Sequence, residues 1–99
     1  MSNEIDPVQL REDLANVKKG IAEALTKGQR MRDSTDKEDY EERFRLEADA
    51  IEPLESATKD VNQALSGLKD GRLTLEDAHK EWEDLAEVLK GAQAVIDDV

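Results

Sequence analysis

Three apolar stripes, each stepping by four and then three residues, constrain this chain more than any other feature. The first is Leu10, Leu14, Val17, Ile21 and Ala24. The second is Tyr40, Phe44, Ile51, Leu54, Val61, Leu65 and Leu68, and the third is Leu75, Ala78, Trp82, Leu85, Leu89, Ala92 and Ile96. Such steps keep one face of a helix apolar, with a period close to that of helices packed side by side. The pattern predicts an all-α fold, a small antiparallel three-helix bundle with a long central helix. Pro53 lies within that helix, where proline removes one backbone hydrogen bond and crowds the preceding turn. Because Ile51 and Leu54 keep the stripe in phase across it, a kinked continuous helix is favoured. Four helices result if Pro53 breaks it.

Capping signals set the boundaries of a single domain over residues 1–99. Asp6 before Pro7 is a helix start, an N-cap carboxylate followed by proline at the first helical position. Helix 1 is predicted over about 7–31, with Lys27, Arg30 and Arg32 near its C-terminal end, where the macrodipole favours cations. Residues 32–36 read as a turn, and Thr35 with Glu38 has the form of a capping box that opens helix 2 over about 36–69. Gly71 suits a left-handed helix end. Thr74 with Asp77 opens helix 3 over about 75–97.

Length then raises a question of cover. At about 1.5 Å per residue, helix 2 spans about 50 Å against about 35 Å for each neighbour. Short turns make both neighbours antiparallel to it. The stripe is therefore expected to be incompletely covered at Tyr40 and Phe44 at one end and at Leu65 and Leu68 at the other. A second copy of the chain is the simplest cover, so a homodimer is expected through Tyr40, Phe44, Glu47, Leu65 and Leu68. A second seam on helix 2, Leu46, Ala50, Pro53, Ala57 and Ala64, is made mostly of small residues that permit close helix approach.

The formal net charge is -11. Residues 1–34 balance at six basic and six acidic side chains, whereas 35–70 carry five against eleven and 71–99 three against eight. An acidic surface on helices 2 and 3 repels nucleic-acid phosphates and anionic lipid, so direct binding to either is not expected. It attracts a protein partner with a basic surface. The outward acids Glu38, Glu42, Asp49, Asp77, Glu83, Asp84 and Glu87 are the candidate partner-binding face. The plainer reading is that they keep a small bundle in solution.

Catalytic material is scarce. The chain has no cysteine and one histidine, which removes thiolate chemistry and leaves little for a histidine-based triad. Glu76 and His79 have the i, i+3 spacing of metal-binding bundles, but the stripe turns Glu76 outward and no further inward carboxylate lies at its level. The best other carboxylate, Glu47, occupies a stripe position between Phe44 and Ile51. It either snorkels to water from an edge or sets the register of the seam. The run 33–38 lacks the glycine and the acid of a calcium loop. Trp82 sits on its stripe as a core residue. No catalytic residue, metal or cofactor is expected, and the chain reads as a non-enzyme.

At the C-terminal end, Asp97 and Asp98 oppose the helix dipole, so fraying is expected unless that end meets a basic partner. No run is apolar enough to span a membrane, and no secretory pattern opens the chain, which makes a cytoplasmic setting the default. The leading expectation is a protein–protein interaction module acting as adaptor, chaperone-like protein or assembly factor. The alternative is an acidic nucleic-acid mimic, of the kind some phages encode, that blocks a basic DNA- or RNA-binding protein.

Overall fold

The computed structural model describes residues 5–36 and 38–98. Helix α1 is Pro7–Ser34. Helix α2 begins as Tyr40–Leu46, passes through a π-helical turn at Glu47–Ile51 and continues as Glu52–Asp70 without a break. Helix α3 is Leu75–Asp98. The three lie together in a slab of 54 × 27 × 16 Å, with no strand among the described residues. No described helix is long and apolar enough to cross a membrane.

Most ends follow their capping signals. The Asp6 side chain accepts from the Val8 amide at 2.9 Å, with Pro7 at the first helical position. Thr74 Oγ1 accepts from the Asp77 amide at 3.1 Å and opens α3. At the end of α2, Gly71 takes a left-handed φ of 75°. The Arg72 and Gly71 amides then reach back to the Gly67 and Leu68 carbonyls, which satisfies the last turn.

The first turn departs from expectation. Helix α1 continues to Ser34 rather than Met31, and α2 starts at Tyr40 rather than Asp36. Thr35 does not open α2 but closes α1, its amide and hydroxyl both donating to the Met31 carbonyl. The N-cap of α2 is Asp39, which accepts from the Glu42 amide at 3.4 Å. Two overlapping signatures, Thr35-x-x-Glu38 and Asp39-x-x-Glu42, compete here, and a threonine that already caps the preceding carbonyls cannot serve the next helix.

The stripes of α1 and α3 are packed as predicted, each member being buried or half-buried. The stripe of α2 is packed only from Ile51 onward. Upstream, Leu46 and Ala50 of the small-residue seam are fully buried, while Tyr40 and Phe44 are 78% and 74% exposed. The cause is the π turn, whose Glu52 amide reaches back five residues to the Glu47 carbonyl. One extra residue in the turn rotates everything before it by about 100° relative to a regular helix. Leu46 is thereby seated where an uninterrupted helix would seat Glu47. The extra residue falls in the turn where the Pro53 ring would crowd the Asp49 carbonyl of a regular helix. The helix thus stays continuous through Pro53.

Small residues let the helices close on one another. Gly28 of α1 faces Ile51 of α2 and Ile96 of α3, where an added Cβ would lie 3.4 Å and 3.5 Å from their side chains. At Gly67 an added Cβ would lie 2.8 Å from Leu73. At Gly91, on the outside of α3, nothing lies within 4 Å. Gly91→Ala should therefore raise the unfolding free energy by about 0.5–1 kcal/mol through helix propensity alone. Gly67→Ala should lower it despite the same propensity gain, because Leu73 must move. Urea unfolding of the two variants checks both signs.

Candidate interaction surface

The end of the bundle where α1 finishes, α2 begins and α3 finishes carries most of its interhelical ion pairs. Arg32 of α1 donates to Glu47 of the π turn at 2.7 Å, with both side chains partly shielded. Arg45 of α2 meets Asp98 of α3 at 2.9 Å, and Lys27 of α1 meets Asp97 at 3.4 Å. The last two pairs are well exposed and contribute about 0–1 kcal/mol each. They nonetheless supply cations to the negative end of α3, which is helical to Asp98. Glu47 is half-buried at the edge of the seam, bonded to a cation of its own chain.

Just beyond these pairs, Tyr40 and Phe44 project from one turn of α2 at i, i+4 spacing, so they share a face. The segment that carries them is mostly acidic, with Arg43 and Arg45 as the basic neighbours of Phe44. Asp36, Glu38, Asp39, Glu41 and Glu42 are all exposed. Their crowding has an electrostatic signature: the charge of Asp39 and its hydrogen bond push the Glu42 carboxyl above the usual range.

The expected partner-binding acids Glu38, Glu42, Asp49, Asp77, Glu83, Asp84 and Glu87 are all exposed. They are spread along the length of the bundle, with Asp49 and Glu87 between its two ends. Because α3 runs antiparallel to α2, Glu38 and Glu42 lie at one end of the bundle and Asp77, Glu83 and Asp84 toward the other. Glu83 Oε1 lies 3.2 Å from His79 Nδ1, and the His79 ring lies 5.5 Å from that of Trp82. Trp82 itself is half-buried against the core, beside a shallow α1–α3 groove that includes Val17 and Leu89. Of the expected dimer residues, Tyr40, Phe44 and Glu47 share an end. Leu65 and Leu68 are half-buried against the core at the opposite end.

A second groove, between α2 and α3, is lined by Asp60, Gln63, Gly67, Arg72, Leu73 and Glu81. Partial burial, with Asp60 and then Asp84 adding negative charge, pushes the Glu81 carboxyl up. Among the described residues no three metal-ligating side chains come together, and every buried side chain is apolar. Sequence reasoning missed Arg32 and Leu46. A signal for Leu46 was present in the small-residue seam, but nothing local announced that the seam and the stripe would exchange roles at residue 47.

Comparison of the chain with protein-family models, with curated proteins and with solved structures gives no match.

The raised Glu81 carboxyl has a testable consequence. Its ionised form is penalised in the folded state, so the penalty is absent below the unfolded-state value and complete above the folded one. Glu81→Gln should stabilise the protein at pH 7, and the gain should shrink to nothing as the pH falls through the carboxylate range. Thermal melts of the two proteins at pH 7 and pH 3 check it.

Proposed function

We propose that this chain is a non-enzymatic protein–protein interaction module, an adaptor or assembly factor. It binds through Tyr40 and Phe44 a partner whose apolar pocket is rimmed by basic side chains. The reading is carried by the exposure of two of the chain's three aromatic side chains, at 78% and 74%, on one face of α2. Exposed aromatics at adjacent helical positions form an apolar patch, and aromatic anchors supply much of the energy at interfaces. The i, i+4 pair is the form in which a helix inserts into a groove. The mostly acidic segment adds complementarity to a basic surface, which speeds encounter and selects the partner.

A homodimer through the same patch would cover the aromatics, but it would set two acidic segments against each other. A heterotypic partner avoids that repulsion. Nucleic-acid mimicry is less supported, because the exposed cations Arg45, Lys59 and Lys80 interrupt the outward acids. A cytoplasmic setting suits a cysteine-free chain.

The test is the double variant Tyr40→Ser/Phe44→Ser, which should keep its helical circular dichroism and its melting behaviour. Crosslinking in the native host should capture a basic partner with the wild-type chain at least about tenfold more than with the variant. Equal capture by both would refute this surface. Light scattering at tens of micromolar should report the 11.1 kDa monomer. A doubled mass lost in the variant would assign the patch to a second copy instead. Salt should weaken the complex without dissolving it, whereas steep loss with salt and competition by duplex DNA would mark a mimic.

A further inference from the structure

Helix α2 carries two superposed apolar seams in the stretch before Leu54. One is Tyr40, Phe44, Glu47 and Ile51, stepping by four, three and four, which only a regular α-helix turns to one side. The other is Leu46, Ala50 and Leu54, stepping by four and four. The second is the one in the core, all three members fully buried, and it reaches the core through the π turn at Glu47–Ile51. The two arrangements differ by a rotation of about 100° in everything upstream of the turn. A regular helix would swing Tyr40 and Phe44 back toward the bundle and bring Leu46 out of it. It would also carry Glu47 into the seam, where an unpaired carboxylate is costly. In the observed arrangement Glu47 stands outside the seam and accepts from Arg32 at 2.7 Å.

We infer that the π turn is a register device that presents the aromatic pair, and that Glu47 and Pro53 are the positioning residues that hold it in the presenting register. Glu47 does so because its charge cannot enter the seam while Arg32 binds it outside. Pro53 does so because its ring excludes a regular turn against the Asp49 carbonyl. Neither residue belongs to the exposed patch, so display of the patch is controlled from behind it. The inference rests on the interaction reading for its purpose, but not for its geometry. Substitutions that remove both constraints should let the upstream segment retract by one residue and hide the pair.

The experiment uses the full chain and needs no partner. Nuclear magnetic resonance with a soluble paramagnetic agent reads the accessibility of the Phe44 ring and of the Leu46 methyl groups. In the wild-type chain the Phe44 ring should be bleached and the Leu46 methyls protected. In Glu47→Leu/Pro53→Ala the order should reverse, with protection of Phe44 rising severalfold and that of Leu46 falling. Glu47→Gln, which keeps an acceptor for Arg32, should retain the wild-type order. Unchanged accessibility in the double variant would overturn the inference. Loss of cooperative melting in that variant would overturn it too, because the regular-helix register must itself be a folded state. Failure of Tyr40→Ser/Phe44→Ser to lose its partner would instead remove the interaction reading and leave the register result standing.

Discussion

Everything at one end of this bundle depends on which residue of α2 enters the core in the turn before Ile51. A regular helix offers Glu47, and the π turn offers Leu46. The choice follows from two costs that act together. A carboxylate in an apolar seam loses its hydration and gains no partner there, and proline in the next turn cannot complete the backbone ladder of a regular helix. Widening the turn by one residue avoids both. The consequence is carried along the helix as a rotation, so two aromatic side chains about one and two turns away leave the packed face.

The rest of the molecule is arranged around that adjustment. Ala50, Ala57 and Ala64 line the buried seam of α2, and Gly28 faces Ile51 and Ile96, so small residues let the three helices close around the larger Leu14, Ile21, Leu46, Leu54 and Val61. Close approach of this kind leaves little slack, which is why a one-residue change in phase is resolved by a π turn and not by a loop. The ion pairs of Arg32, Arg45 and Lys27 then tie the three helices at that end. Individually they are weak, but they satisfy the carboxylates of Glu47, Asp97 and Asp98 within the chain itself. The acids of the segment that carries Tyr40 and Phe44 are thereby left as the electrostatic character of the exposed patch.

An exposed aromatic pair within a mostly acidic segment is a specific arrangement for a chain with few aromatics. Dispersion and burial supply affinity at such a patch, and the charge supplies selectivity. The grooves elsewhere offer less. The α2–α3 groove is open and holds Glu81, whose proton affinity is raised by partial burial and by the charge of Asp60, and the α1–α3 groove is floored by side chains already packed on the core. Among the described residues, the Tyr40 end holds the two most exposed large apolar side chains.

Much of the fold was legible in the sequence because its signals are local. Asp6 before Pro7, Thr74 before Asp77 and the glycine at 71 each act within one turn, and each caps a helix as its chemistry dictates. The stripes of α1 and α3 repeat without interruption, so their buried faces follow from period alone. In α2 two seams of similar apolarity run side by side, and local pattern cannot choose between them. That choice depends on whether Arg32, fifteen residues earlier in the chain, reaches Glu47, and on how closely Gly28 and Ile96 approach the turn. Periodicity assumes 3.6 residues in every turn; a single turn that takes one more is a tertiary decision, made where a charge, a proline and a crowded core meet.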